Sequence, residues 1–291
     1  MNYRGRFAPS PSGPLHFGSL VAALGSYLDA RKQQGKWLVR IEDIDPPREK
    51  KGAVSQILHT LEAFGFEWDE SILYQSQRLS AYQEALDQLF AKGVLYECTC
   101  SRKEINAAGQ YGSEGIIYPG TCRLISTPSS ATRKPKAVRL MTTDHPVAFT
   151  DRVMGHQSQL LASDIGDFVL KRADGLFAYQ LAVVVDDAYQ GITDVVRGAD
   201  LLTSTPRQIY LQNLLALPTP TYKHLPLVVD ENGHKLSKQS QSQPVVVAQA
   251  LPALKAAWVF LGQTEADEPL TTVSEFWEWS IAHWDYRLIH K

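Results

Sequence analysis

Two stretches, one at the start of the chain and one near residue 235, carry residue types that handle phosphate. The first is "RFAPSPSGPLHFGSL", Arg6 to Leu20. Pro9 and Pro11 fix φ and remove two backbone donors, so the segment is stiff. Ala8, Ser10, Ser12 and Gly13 are small enough for a ligand to approach the backbone. His16, Gly18 and Ser19 then enter an apolar run that reads as a helix. A helix N-terminus offers an anion unpaired N–H groups and the positive end of a dipole. A histidine there can donate a hydrogen bond to a phosphoryl oxygen as charge develops on it. On local grounds a Pro-rich turn with a surface histidine is the equal alternative, because the P-loop spacing is absent. The second stretch is "HKLSK", His234 to Lys238, where Lys235 and Lys238 flank Leu236 and Ser237. Two lysines in such a loop can close over a triphosphate as mobile point charges. Alone, the loop reads first as solvated surface.

A third group of residues suits a metal. Cys98, Cys100 and Cys122 are the three cysteines of the chain. An odd number argues against a disulfide framework. In an extended strand, residues two apart face the same side, so Cys98 and Cys100 can share an ion. Cys122 returns after a loop, and three thiolates suit Zn2+ in a closed four-ligand structural site. The residues leave the fourth ligand open. A distant histidine or a water is the commoner partner, and no histidine lies between Cys98 and Cys122; Tyr118, in "YPGTC", is the local candidate.

Elements must position these groups. Leu20 to Asp29 reads as a helix rich in Ala and Leu, and "KWLVRIEDID" as a strand stopped by Pro46 and Pro47. Ala53 to Phe64 and Arg78 to Lys92 carry apolar residues at three- and four-residue steps, the mark of amphipathic helices. From Tyr96 to about Arg133 the pattern loosens. "KAVRLM", "HPVAFTDRV" and "DFVLKRADGLFAY" read as short strands, the last folded at Asp174-Gly175. "LAVVVDDAYQGITDVVRGAD" is apolar and ends in charge, Pro206 to Leu215 is helical by content, and the last 50 residues or so, with four tryptophans, read as helices. The order β, α, β, α, a looser insertion, then β and α predicts an α/β sheet interrupted by a subdomain.

Composition narrows the class. The chain has 291 residues, is 44% hydrophobic and carries a formal charge of −2. No apolar run approaches the ~18 residues of a membrane span, and no apolar signal segment opens the chain, so the expected setting is the cytoplasm. The net charge advertises no nucleic acid, yet local clusters such as Arg48, Lys50 and Lys51, or Arg102 and Lys103, decide phosphate affinity more than the sum does.

"RFAPSPSGPLHFGSL", "RIEDIDPPR", "VVRGADLL" and "KLSK", in this order and at this separation, resemble the glutamyl-tRNA synthetase lineage of the class I aminoacyl-tRNA synthetases. The resemblance covers roughly residues 1–240. It implies an α/β fold: a Rossmann-type catalytic domain, residues 1–95 and 180–240, split by an α+β zinc-containing insertion at 96–179 that is similar to an acceptor-binding domain. A short helical C-terminal extension would follow at 241–291. It further implies that Arg6, Phe7, Ala8, Pro9, Ser10 and Glu42 line a glutamate pocket completed by Tyr179 and Arg197. The chemistry agrees, since a substrate with two carboxylates and one ammonium asks for two guanidinium groups and one acid. His16, Gly18, Ser19 and Lys238 would bind ATP, and Mg2+ would travel with it. His16 and Lys238 would stabilise the transition state as glutamate attacks the α-phosphate, with Lys235 and Ser237 assisting the departing pyrophosphate. "CTC … YPGTC" resembles the zinc site of one branch of the lineage, which implies Cys98, Cys100, Tyr118 and Cys122 as ligands of a structural Zn2+.

Full-length members of the lineage continue for ~200 more residues, the scale of one or two helical anticodon-binding domains. Here about 50 residues follow "KLSK". The expectation is therefore the truncated branch, which esterifies glutamate to the cyclopentene cis-diol of queuosine in the tRNA(Asp) anticodon. That diol imitates the terminal ribose, and a loop base is flipped for only a few kcal/mol. The expected partners are ATP, L-glutamate and queuosine-containing tRNA(Asp), met by a monomer without a membrane. A small synthetase charging a tRNA 3′ end, an inactive RNA-binding paralogue and a nucleotidylyltransferase are the competing readings. The signatures depart from the lineage pattern at "HFGS" and "KLSKQ", while His16, Gly18 and both lysines remain.

Overall fold

The computed structural model describes residues 2–112, 115–123, 136–228 and 243–290. Strand β1 (Arg4–Phe7) pairs in parallel with β2 (Lys36–Ile41), Arg6 opposite Leu38, and β2 continues to β3 (Leu73–Tyr74). The crossover between the first two strands is α1 (Phe17–Lys32), longer at both ends than its Ala- and Leu-rich centre suggests. Every residue from Ala23 to Ala30 is buried, which is why this helix lacks a polar face. A Cβ on Gly25 would stand 2.7 Å from the Leu225 side chain, so glycine is what lets this helix lie so close to its neighbouring strand. Helices α2 (Ala53–Ala63) and α3 (Leu79–Ala91) follow where the apolar spacing predicts them.

The segment between α3 and residue 179 is antiparallel. Strands β4 (Leu95–Cys98), β7 (Ala137–Leu140) and β10 (Phe168–Lys171) form one sheet in the order β10-β7-β4. Around it lie α4 (Arg102–Ala108), the hairpin of β5 (Gln110–Gly112) and β6 (Gly115–Ile117), the hairpin of β8 (Val147–Asp151) and β9 (Gly155–Gln159), and the single turn α5 (Leu161–Asp164). Two sequence expectations are corrected here. Cys100 lies beyond the end of β4, so the alternation of a strand does not place it beside Cys98. The strand pair across Asp174-Gly175 reduces to β10 and one isolated bridge, Lys171 to Phe177, because α6 takes up the chain from Tyr179.

The apolar stretch before Asp200 resolves into α6 (Tyr179–Tyr189) and β11 (Asp194–Gly198). α7 (Thr205–Leu215) leads to β12 (Thr221–Leu225), parallel to β11. The Thr193 N–H donates to the Arg4 carbonyl at 3.0 Å, which sets the start of β11 beside β1. The parallel strands thus run β3-β2-β1-β11-β12, a Rossmann-like order whose reversal between β1 and β11 opens a crevice at the strands' C-terminal ends. The β8–β9 hairpin reaches back to this sheet, the Arg152 N–H donating to the Tyr222 carbonyl at 2.9 Å. Helices α8 (Ala250–Phe260) and α9 (Val273–His283) bring Trp258, Trp277 and Trp284 into the same core as α1. Among the described residues no helix is long and apolar enough to cross a membrane.

Candidate active site

The crevice is built from side chains at the ends of five elements. Arg6, on β1, is 3% exposed and gives its Nε and Nη2 hydrogens to Asp187 of α6 at 3.1 and 3.4 Å. Arg40, on β2, is fully buried and donates to the same carboxylate at 2.7 Å, to Gln190 Oε1 at 2.9 Å and to Glu42 at 3.4 Å. One aspartate therefore holds two guanidinium groups. Burial alone would raise its pKa, but Arg6 and Arg40 outweigh that and hold the Asp187 carboxyl below its ordinary value. For Glu42 the balance runs the other way, burial raising its pKa against the pull of Arg40 and Arg6. A buried acid in that condition is suited to a cationic partner.

Arg197, at the end of β11, is 5% exposed. Its Nε donates to His224 at 3.0 Å, and its Nη2 faces Thr205 at 2.9 Å, Gln208 at 2.8 Å and the Leu201 carbonyl at 3.3 Å. The protein thus occupies Nε and Nη2 and leaves Nη1, which meets the Tyr179 hydroxyl at 3.4 Å. Arg6 is held in the same way, since no described residue takes a hydrogen from its Nη1. Two arginines fixed by one edge and open at the other suit a substrate with two carboxylates.

Two cavities meet at this point. The smaller, about 210 Å³, is lined by Ser10, Glu42, Gln75 and Tyr179; the larger, about 630 Å³, by Pro9, His16, Gly18, Ser19, Gly198 and Asp200. They share Ser10, Ser12 and Arg48 as a common wall. His16 is the N-cap of α1, its Nδ1 accepting the Ser19 N–H at 3.3 Å, which leaves Nε2 as the ring's donor. A Cβ on Gly18 would come within 3.2 Å of the His16 ring, so glycine leaves that ring its space. No acid stands in the first turn of α1.

Placement of the remaining expected residues is uneven. The Phe7 ring belongs to the core, stacked on Trp37 at 6.2 Å, and touches only the edge of the larger cavity. Ala8 lines neither cavity, and Arg6 and Arg197 reach the smaller one by way of Glu42 and Tyr179. Lys235, Ser237 and Lys238 lie outside the described residues. Of the described residues around that segment, Val228 lines the larger cavity and Pro244 pairs with His16.

The sequence reading missed Arg40, Asp187, His224, Asp151, Thr205 and Gln208. The available signal was "VVVDDAY", two adjacent acids inside an apolar helix. Asp186 beside Asp187 is fully buried too, taking the Tyr82 hydroxyl at 2.5 Å, Gln75 Nε2 at 3.0 Å and Arg78 Nε at 3.1 Å.

The cysteines form a second centre. The Sγ atoms of Cys98, Cys100 and Cys122 lie within 4.8 Å of one another. The Tyr118 hydroxyl stands 3.4 Å from Cys98 Sγ and 3.5 Å from Cys100 Sγ, and accepts the Cys122 N–H at 2.8 Å. Tetrahedral Zn2+ with sulfur arms of ~2.3 Å sets sulfurs about 3.8 Å apart, so three thiols and one phenol in this cluster fit that ion. Burial pushes the Cys100 thiol up to about 11. At Cys122 burial is outweighed by hydrogen bonds from Tyr118 and the Thr99 N–H, which bring its thiol to about 7.

Residues 2–252 match the family model for the catalytic domain of class I tRNA synthetases, E and Q. The Glutamyl-Q tRNA(Asp) synthetase of Dechloromonas aromatica is 56% identical over 98% of this chain and 94% of its own. Proteins of the same name from Neisseria meningitidis serogroup C and Pseudomonas aeruginosa are 51% and 53% identical over 99% and 98% of this chain, and over 98% and 94% of their own lengths. Among solved structures, the glutamate-tRNA synthetase of Elizabethkingia anophelis superposes with a TM-score of 0.82 at 25% identity, across all of this chain and 67% of that one. A glutamate tRNA ligase from Elizabethkingia meningosepticum, solved with its amino acid, gives 0.83 at 25% identity, over 100% of this chain and 66% of its own.

Proposed function

This chain belongs to the glutamyl-Q tRNA(Asp) synthetase family, within the class I synthetases for glutamate and glutamine, and we propose that it activates L-glutamate with ATP and esterifies it to the cyclopentenediol of queuosine in tRNA(Asp). One observation carries the reading: Arg6 and Arg197, each fixed by one edge, flank Glu42 and Tyr179 in the crevice whose other end is the His16-capped terminus of α1. In this reading the two arginines take the substrate's carboxylates and Glu42 takes its ammonium. Ser10, on the wall shared by both cavities, stands where the amino acid meets the nucleotide. His16 Nε2–H faces the phosphates, and Gly18 and Ser19 offer backbone donors to them. In this reading Lys238 stabilises the transition state together with His16, and Lys235 and Ser237 assist the departing pyrophosphate. Mg2+ bound to ATP would neutralise part of the phosphate charge. The enzyme works by positioning and by charge placed in advance.

The domain reading belongs to the same proposal: a catalytic domain from 1–95 and 180–240, an insertion at 96–179 and a helical extension at 241–291. The parallel strands on both sides of the antiparallel segment support it. Cys98, Cys100, Tyr118 and Cys122 would hold Zn2+, which would cross-link the insertion without taking part in the chemistry. Metal analysis of freshly purified protein should return about one equivalent, and a value under about half would remove the metal from the proposal.

The deciding test is transfer of radiolabelled glutamate to native tRNA(Asp) containing queuosine, beside an unmodified transcript. Label on the modified tRNA alone is expected. Equal label on both would mean that the 3′ end is charged, and no label on either would refute the acceptor.

A further inference from the structure

Arg197 is anchored through two residues that line neither cavity. His224, on β12, is 0% exposed and Asp151, at the end of β8, is 1% exposed. Asp151 Oδ1 accepts three backbone N–H groups, from Val153 at 2.9 Å, Met154 at 2.8 Å and His224 at 3.2 Å. Its Oδ2 lies 2.7 Å from His224 Nδ1. A carboxylate bound by so many donors is ionised, so the hydrogen of the imidazole sits on Nδ1. Nε2 is then a lone pair, and it faces the Nε–H of Arg197 at 3.0 Å. Burial and the nearby Arg197 push the imidazole below its ordinary pKa, outweighing Asp151, and the neutral ring is the form this contact needs.

We propose that Asp151 and His224 are positioning residues for amino-acid recognition: the carboxylate selects the tautomer of the imidazole, and the imidazole sets the direction in which Arg197 presents Nη1. The hairpin β8–β9, which lies in the segment between the two halves of the parallel sheet, thereby takes part in reading glutamate. The inference rests on the reading that Arg197 binds a substrate carboxylate. A histidine that only stapled the hairpin to the sheet would need its contact to Asp151, and the Thr205 hydroxyl, 3.3 Å from Nε2, would be partner enough for the other nitrogen.

That difference can be measured by glutamate-dependent pyrophosphate exchange. In Asp151→Asn the amide oxygen serves the backbone N–H groups and the amide nitrogen donates to Nδ1. The ring hydrogen then moves to Nε2, against Arg197. The KM for glutamate should rise about 10- to 100-fold, the usual result of a small misplacement, while the KM for ATP stays within about twofold. Two substitutions separate positioning from support. His224→Gln can offer an oxygen near the place of Nε2, whereas His224→Asn keeps a donor for Asp151 and loses that acceptor. His224→Gln should have the lower KM for glutamate. Equal values, the reverse order, or a folded Asp151→Asn protein with an unchanged KM for glutamate would overturn the inference. Arg197→Ala is the control for the reading beneath it: an unchanged glutamate KM there would refute Arg197 as a ligand, whatever the other variants do.

Discussion

The crevice and the cysteine cluster solve the same problem in opposite ways. In the crevice buried charges are held by partners from distant parts of the chain: Arg6 and Arg40 share Asp187 across separations of 181 and 147 residues. Burying charge is tolerable when it is paired and hydrogen-bonded, and Asp187 pairs two of the three guanidinium groups here while neutral groups hold Arg197. The cysteine cluster draws all its atoms from Cys98 to Cys122, and those atoms have chiefly one another, at 3.4 to 3.5 Å. Thiols are weak donors and acceptors, so such contacts order the segment poorly. One centre is preorganised by the fold, while the other is suited to taking its order from an ion.

The strongest way to break this contrast is Asp187→Ala. It leaves two buried guanidinium groups without their shared carboxylate, and urea denaturation should show a loss of about 3–5 kcal/mol. A loss under about 1 kcal/mol would mean that the crevice is less tightly paired than its distances indicate. Glu42→Gln removes the acid proposed for the ammonium but not the fold around it. Glutamate-dependent exchange should lose about 10- to 100-fold in kcat/KM, with stability nearly unchanged.

On the other side of the comparison, Cys122→Ser should lower bound zinc to under about half an equivalent. Tyr118→Phe should keep the metal at about tenfold weaker affinity, read by competition with a chromogenic chelator. Neither change should alter the KM for glutamate. A large KM effect would tie the two centres together and end the contrast.

The smallest effect is in the pH dependence of thermal stability. Asp187 and Asp151 have depressed pKa values in the fold, so the stability they contribute is present above the unfolded value near ~3.9 and is lost as pH falls through their folded values. His224 is also depressed. Between about pH 6.5 and its folded value the unfolded chain binds a proton that the folded ring refuses, so stability falls on acidification there as well. Replacing His224 with Gln should flatten the part just below about pH 6.5 and leave the acid limb unchanged.

Some of this was legible in the residues. His16, Gly18 and Ser19 stand at the start of a helix because a cap and a dipole are local matters, settled within one turn. The spacing in α3 was enough to place that helix. The cysteine spacing suggested that three thiols meet, and the phenol came only from the resemblance of "CTC … YPGTC" to the lineage; Cys100 joins them from beyond the end of β4, not by strand alternation. α6 was hidden because its acids face inward, Asp186 and Asp187 being buried among valines and leucine, so no amphipathic stripe appeared.

The sequence by itself therefore determined many of the elements, α6 excepted, the alternating order that makes a parallel sheet, and the chemistry available at each end. Which arginines are held, and by which edge, was decided only by tertiary structure. Asp151 meets His224 across 73 residues, and Arg40 meets Asp187 across 147. Helical and strand preferences act over a few neighbours, whereas the partner of a buried charge is whichever group another element carries to the same strand end.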